Sequence, residues 1–204
     1  MFGVTDYGAF VLAVIVFLAI PGPGNLALVT STGKGGLRGG FAATFGVISG
    51  DQALLWLAVT GLSALLSASP AAFSAVRLGG ALYLGWLGVL MLLAKPGDGP
   101  VLNLKAGDYF GQAFLITLLN PKAIVFYMAF FPLFVDTKTY QGFATFGFMA
   151  VTIATLTLAY GAVVVLITHY FAKTIQRSRW MNILLEKTAG CILLGFGLKL
   201  ALNW

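Results

Sequence analysis

The sequence predicts an all-α polytopic membrane protein, with six transmembrane helices arranged as two inverted three-helix repeats and with helices 1 and 4 broken. Of its 204 residues, 59% are hydrophobic and only 9% are charged, whereas a soluble domain carries roughly 25% charged residues. The mean hydropathy is +0.95. The apolar residues form six runs, each long enough to cross a hydrocarbon core of about 30 Å. One run in each half is interrupted by proline.

The six predicted segments cover residues 8–32, 39–66, 71–94, 109–135, 142–171 and 183–203. A polar connection over residues 95–108 divides the chain into repeat 1, about residues 1–94, and repeat 2, about residues 109–204. The two repeats together form a single transmembrane domain over residues 1–204.

The first segment is interrupted by Pro21-Gly22-Pro23-Gly24-Asn25. Proline has no backbone N–H and clashes with the preceding turn, and glycine weakens a helix interior, so helix 1 must break here. Backbone opened at membrane depth is tolerated only where protein buries it or where it lines a polar cavity. We therefore expect the backbone of this break, together with the Asn25 side chain, to form part of a binding site.

The second segment carries an acidic residue well inside it. Asp51 follows Gly46 and Gly50, a pair of small residues whose spacing lets another helix approach closely. A charge near the bilayer centre costs at least ~2.5–3.5 kcal/mol, so it normally faces a cavity or a partner. We expect Asp51 to bind a proton or a substrate ammonium group. A structural pair with a basic side chain and an interfacial position are the alternatives.

The fourth segment contains the second break, at Asn120-Pro121-Lys122. An interrupted helix exposes N–H groups that suit a carboxylate and carbonyl groups that suit an ammonium group. Two facing breaks would hold both ends of a zwitterion, with Asn25 and Asn120 adding donors and acceptors. We expect Lys122 to snorkel, to pair with an acid or to meet a substrate carboxylate. Kinks that serve packing alone are the alternative to a binding site.

The remaining segments indicate that the two halves are related. The second and fifth segments open with similar runs at Gly40 and Gly142, and residues 77–86 align without gaps with residues 187–196. Because three crossings is an odd number, repeat 2 must enter the membrane from the opposite side. Inverted repeats with paired broken helices are typical of alternating-access carriers, whose substrates bind at the repeat interface. Chance similarity between apolar segments is the alternative.

The basic residues predict the orientation. Eight fall on one side of the predicted membrane and three on the other, which places the first side in the cytoplasm and both termini outside. The +6 net charge is spread thinly over connecting loops, so we expect no nucleic-acid partner. The eight are Lys34, Arg38, Lys95, Lys105, Lys173, Arg177, Arg179 and Lys187, and the three are Arg77, Lys138 and Lys199.

No pattern of catalytic groups accompanies these features. His169 is the only histidine and Cys191 the only cysteine, whereas transition-metal sites usually cluster such residues. We therefore expect no enzyme activity, no metal site and no cofactor. Cys191 lies in a strongly apolar run, so we expect a buried, inert thiol.

Taken together, the two breaks and the buried Gly50-Asp51 pair make the chain similar to the lysine exporter (LysE/RhtB) family. The resemblance covers essentially the whole length. It implies a six-helix protein of the bacterial inner membrane that exports amino acids, is driven by the proton gradient and forms homo-oligomers. The family often has Asp or Asn directly after the Pro-Gly-Pro triplet, whereas here Gly24 stands before Asn25.

From the residues and the resemblance we expect a secondary active transporter that exports an amino acid from the cytoplasm, with protons and the lipid bilayer as its other partners. The scarcity of intramembrane acids favours a small neutral substrate over lysine or arginine. An inorganic-cation carrier is one alternative. The other is a membrane assembly subunit without transport activity, which would tolerate changes at Asp51 and Asn120.

Overall fold

The structure, a computed structural model, describes residues 3–4, 6–20, 22–68, 104–130, 134–135 and 142–175, with isolated positions at 82, 86, 89, 92–93, 187, 191 and 194–195. The regular structure in this part of the chain is helical, apart from one antiparallel bridge between Val4 and Val135. Most of the predicted third and sixth segments lies outside the described residues. The inverted six-helix arrangement therefore stays a prediction.

Helix α1 covers Tyr7–Ala19. It begins at Asp6, whose side chain accepts a hydrogen bond from the Ala9 N–H at 3.0 Å and so satisfies one of the free donors of the first turn. It ends before Pro21, which itself lies outside the described residues, and Ile20 is already extended. The predicted break in the first apolar segment is therefore present.

Helix α2 covers Pro23–Ala68 but is interrupted at Gly36, whose φ of 61° and ψ of −155° are not helical. Glycine adopts a positive φ without steric penalty, and here it turns the chain into a helical hairpin. The hairpin is tight, since a β-carbon added to Gly39 would lie 2.5 Å from the Ser31 carbonyl oxygen. We call residues 23–35 the first arm of α2 and residues 37–68 its second arm.

The fourth predicted segment is broken as well. Helix α3 covers Tyr109–Leu118 and begins at the capping side chain of Asp108. Helix α4 covers Pro121–Val125 and continues as a π-helical turn over Phe126–Phe130. The chain bends by 53° between α3 and the helix that follows.

Helix α5 covers Phe143–Ile175, and the second arm of α2 packs between it and α3. Glycines permit both approaches. A β-carbon on Gly46 would lie 2.3 Å from the Phe110 carbonyl oxygen in α3, and one on Gly161 in α5 would lie 2.5 Å from the Thr44 side chain. The second arm is therefore in backbone-level contact with both neighbours, as small residues allow between membrane helices.

The main apolar cluster joins α1, the π-helical turn and α5. Phe17 stacks on Phe126 with ring centroids 4.1 Å apart, and Phe10, Tyr127 and Ile153 are buried in the same cluster. This cluster fixes the end of α1 against the helix that follows the second break, and so positions the two breaks relative to each other.

By length and composition, Pro23–Gly61 and Phe143–Phe171 are apolar stretches long enough to cross a membrane, and the bent pair of α3 with α4 makes a third if it forms one span. The turn at Gly36 divides the first of these stretches, so it does not cross as one continuous helix. Large apolar side chains such as Leu57 and Val151 are exposed on these helices. Cys191 is also exposed, so the expected burial of its thiol within the protein is wrong. An apolar run does not distinguish a helix face that packs on protein from one that faces lipid.

Candidate functional site

A cavity of about 30 Å³ lies where both breaks face the middle of the second arm of α2. It brings together all four side chains that the sequence analysis singled out for binding, which are Asn25, Asp51, Asn120 and Lys122. Helix α1 contributes Phe17 and Leu18 to its wall, α3 contributes Thr117, and α5 contributes Thr157 and Tyr160. The two breaks and the buried acid, although distant in sequence, therefore line one site.

The first break exposes carbonyl oxygens because proline interrupts the helical ladder. The residue four positions after Phe17 is Pro21, which has no N–H to donate. The Lys122 ammonium group takes this place, donating hydrogen bonds to the carbonyl oxygens of Phe17 at 3.0 Å and Ile20 at 2.9 Å. Its Nζ also lies 4.6 Å from the centroid of the Phe17 ring, a favourable cation–π position.

Asn25 completes the capping of the first break. Its side-chain amide donates hydrogen bonds to the carbonyl oxygens of Leu18 and Ile20, both at 3.0 Å. The Tyr160 hydroxyl on α5 lies against the same amide. The donors of Asn25 are thus used by the end of α1, and its position one residue beyond the Pro-Gly-Pro-Gly run allows it to reach back over the break.

The second break satisfies its own backbone. The Asn120 side-chain oxygen accepts a hydrogen bond from the Lys122 N–H at 3.0 Å and caps α4, and Pro121 occupies the first helical position, where a missing N–H is tolerated. The Asn120 N–H in turn donates to the Thr117 carbonyl oxygen at 3.1 Å. Asn120 is buried, at 6% exposure.

Asp51 faces the cavity from the second arm of α2 and is 2% exposed. The Thr157 hydroxyl donates a long hydrogen bond of 3.5 Å to one of its carboxylate oxygens. The Tyr127 hydroxyl lies beside the same carboxylate, and the Lys122 charge is near enough to interact with it. The carboxylate therefore has one long hydrogen bond and a phenol beside it, and it is not held in a close ion pair.

The other acids that the structure describes, Asp6 and Asp108, have a different place. Both are exposed and cap the first turns of α1 and α3. Within the described part of the chain, no three histidine, cysteine, aspartate or glutamate side chains come close enough to hold a metal ion.

The Lys122 side chain neither snorkels nor forms a close ion pair with a described acid, and its expected contact with a substrate carboxylate stays a prediction. Its ammonium group turns inward onto the backbone of the first break. The reason is that Pro21 leaves carbonyl oxygens without a backbone donor inside the protein. These oxygens accept the hydrogen bonds that the ammonium group would otherwise donate to a carboxylate or to water. The sequence shows both breaks, but it does not show that Lys122 of the second break supplies the hydrogen-bond donor that Pro21 of the first break lacks.

Sequence reasoning missed four residues of the site: Thr117, Thr157 and Tyr160 line the cavity, and Tyr127 lies beside Asp51. Among the buried side chains that the structure describes, the hydroxyl oxygens of Thr117 and Tyr127 have no hydrogen-bond partner, and neither has that of Ser31. A hydroxyl within an apolar segment is a signal, but a weak one, because the fifth segment contains several threonines and its sequence does not show which of them faces a cavity.

The sequence profile of the LysE type translocator family matches residues 15–203. The chain belongs to this family. The match spans both breaks and Asp51, so the cavity is formed by residues within the matched region. The family resemblance noted from the breaks and the buried acid is thereby confirmed.

Individual relatives are similar to the chain over nearly its full length. The chain is 31% identical over 208 aligned residues to a leucine efflux protein of Salmonella typhimurium, covering 98% of this chain and 96% of the relative. It is 30% identical to a leucine efflux protein of Klebsiella pneumoniae, with the same coverage of both chains. An uncharacterized membrane protein of Pseudomonas aeruginosa is 31% identical, again over 98% and 96% of the two chains. No solved structure matches significantly.

Proposed function

We propose that this LysE type translocator is a secondary active transporter that exports a neutral amino acid from the cytoplasm in exchange for protons. The observation that carries the proposal is the meeting of two broken helices and a buried acid at one polar cavity. Broken helices that converge in this way are the usual substrate sites of carriers built from repeats. The leucine efflux proteins among the relatives make leucine the first substrate to test.

The cavity has the chemistry for a zwitterion. Asp51 supplies a negative charge for the substrate ammonium group. Lys122 uses its ammonium protons on two carbonyl oxygens, and with three donors it has one left for a substrate carboxylate. A second positive charge on the substrate would lie close to Lys122, which supports a neutral side chain over that of lysine or arginine.

Exchange with protons is supported by Asp51, the one acid among the described residues that line the cavity. Protonated Asp51 is neutral and no longer attracts an ammonium group, whereas ionised Asp51 does. Substrate and proton would therefore compete for the same carboxylate, and a carrier that reorients with either one bound exchanges them across the membrane. The Thr157 hydroxyl contributes in both states because it can donate to the carboxylate and accept from the acid.

The cavity of about 30 Å³ has space for one or two water molecules, each of which needs roughly 10–15 Å³ of such a cavity, but not for a leucine side chain. Substrate entry therefore requires the walls to separate. The first break is held by the side chains of Asn25 and Lys122, which lie outside α1. Their hydrogen bonds to the end of α1 can therefore break when the walls of the cavity separate.

The wider arrangement belongs to the same proposal. We place the protein in the bacterial inner membrane as two inverted three-helix repeats, with both termini outside and further copies of the chain as partners. The bias of basic residues toward one side supports the orientation, and the odd number of predicted crossings in each half supports the inversion.

Replacing Asp51 by Asn tests the proposal directly. The amide keeps the size and most hydrogen bonds of the side chain but neither ionises nor binds a proton. We expect Asp51→Asn to lower proton-driven leucine efflux from preloaded cells or proteoliposomes by at least about tenfold, because a lost charge contact of 1.4 kcal/mol or more gives that factor.

The matched control is Asp6→Asn. Asp6 is an exposed helix cap, and Asn caps as well as Asp, so this variant should transport like the parent. Parent-like efflux by Asp51→Asn would remove the acid from the mechanism. Absence of efflux by the parent for every amino acid in a panel would contradict amino-acid export and favour the non-transport alternative.

A further inference from the structure

Threonines in the described helices usually turn their hydroxyl groups back onto their own helix. The Thr32 hydroxyl donates to the Leu28 carbonyl oxygen at 2.6 Å, and the Thr44 hydroxyl donates to that of Gly40 at 3.0 Å. Thr152 and Thr155 in α5 make the same bond over four residues, at 2.9 and 2.8 Å. This is the ordinary way for a threonine in an apolar helix to satisfy its hydroxyl.

Thr117 departs from this pattern. It lies in the last turn of α3 and is 3% exposed, yet its hydroxyl oxygen has no partner among the described residues. The residue lines the cavity beside Asp51 and Lys122. Burying a hydroxyl without a hydrogen bond costs about 1–3 kcal/mol, so a buried orphan at a cavity wall calls for a ligand that supplies the missing bond.

The Thr117 side chain is tightly packed against the second arm of α2. A β-carbon added to Gly50 would lie 2.7 Å from the Thr117 β-carbon, so the threonine rests directly on the backbone next to Asp51. Its carbonyl oxygen is fixed as well, by the N–H of Asn120. With its backbone held on both sides, Thr117 stays at the cavity wall beside the buried acid and the second break.

We propose that Thr117 is a substrate-binding residue, whose hydroxyl forms a hydrogen bond to the charged head group of a zwitterionic amino acid held between Asp51 and Lys122. A hydroxyl both donates and accepts, so it can serve the carboxylate or the ammonium group. The inference rests on the proposed function and adds to it a contact that the two breaks and the acid did not reveal.

The test compares three variants of the purified full-length protein in lipid nanodiscs. Thr117→Val removes the hydroxyl and keeps the shape, Thr117→Ser keeps the hydroxyl, and Thr44→Val removes a buried hydroxyl that is satisfied by its own helix. The binding of labelled leucine, isoleucine, valine, alanine and threonine is measured, and the melting temperature is measured without any amino acid.

We expect Thr117→Val to raise the Kd of the bound amino acid about tenfold, the usual effect of losing one hydrogen bond to a charged group. Its melting temperature without ligand should equal or exceed that of the parent, because an unsatisfied buried hydroxyl has been removed. Thr117→Ser should keep a Kd within about threefold of the parent, and Thr44→Val should bind like the parent.

Equal affinity of Thr117→Val and the parent would overturn the inference and leave the proposed function intact. A lowered melting temperature with unchanged affinity would also overturn it, since it would show that the hydroxyl serves the fold. If the parent binds none of the five amino acids, the proposed substrate class fails, and the inference fails with it.

Discussion

The two helix breaks are similar in sequence but differ in how their backbone is satisfied. In each, a proline removes the N–H that would have reached the carbonyl four residues earlier. At the second break, that carbonyl belongs to Thr117 and is taken by the neighbouring Asn120 N–H. At the first break, it belongs to Phe17 and is taken by the ammonium group of Lys122, 105 positions away.

From this difference we infer which break would change during the proposed transport. The second break is stabilised by local bonds that persist whatever the rest of the molecule does. The first break depends on Asn25 and Lys122, and its bonds to Lys122 are lost if the two helices separate. A substrate carboxylate that attracts Lys122 would therefore loosen the first break and leave the second one unchanged, so that binding and opening are coupled at a single side chain.

Among the substitutions that test this contrast, Lys122→Met should lower the stability of the protein the most. Methionine keeps the length of the side chain but donates no hydrogen bond, so the Phe17 carbonyl oxygen is left buried and unsatisfied. We expect the free energy of unfolding to fall by about 2–4 kcal/mol and leucine efflux to be lost. Thermal unfolding of the purified protein and efflux from preloaded cells measure the two effects.

Lys105→Met is the control for this prediction, because Lys105 is exposed in the loop before α3. Equal melting temperatures for the two variants would show that the first break is stable without its distant cation, and the contrast between the breaks would then be wrong.

Gly50→Ala should have an intermediate effect, on the second break. The added β-carbon would meet the Thr117 side chain at 2.7 Å, so the end of α3 must move. Forcing a methyl group into a packed contact costs about 1–3 kcal/mol. Gly33→Ala is the matched control, since nothing lies within 4 Å of the added carbon. A melting temperature as high as that of the control would show that α3 shifts without cost.

Replacing either asparagine by serine should change the free energy of unfolding least, and by different amounts at the two breaks. Serine caps a helix as well as asparagine does, so Asn120→Ser should cost only a few tenths of a kcal/mol. Asn25→Ser cannot donate to both Leu18 and Ile20, and we expect it to cost about 1–2 kcal/mol. Thermal unfolding of the two variants side by side measures the difference, and equal costs would contradict the distinction between local and distant capping.

Much of the described fold could be predicted from the sequence, because the signals are local. Proline and glycine break α1 from α2 and α3 from α4, whatever surrounds them. The length and apolar character of residues 39–66 and 142–171 predict the second arm of α2 and helix α5. Gly36 was not singled out as the hairpin turn, although the boundary predicted between the first two segments falls around it.

The sequence predicted individual candidate residues of the site but not their arrangement around one cavity. Asp51 stands out because a charge is rare within an apolar helix, and the asparagines stand out because they border prolines. Thr117 and Thr157 do not stand out, because threonine is tolerated in membrane helices wherever its hydroxyl can bond to its own backbone. Which threonines do so depends on the neighbouring helix and not on the sequence around them.

The sequence by itself determined where the backbone opens, which acid lies deepest within an apolar segment, and the family to which the chain belongs. These depend on covalent properties of proline and glycine and on residue identity. Only the tertiary structure decided that both breaks and Asp51 share one cavity, that Lys122 replaces the donor that Pro21 lacks, and that the Thr117 hydroxyl is left without a partner. Those facts depend on distances between helices far apart in the chain, which are set by how glycine-lined faces pack.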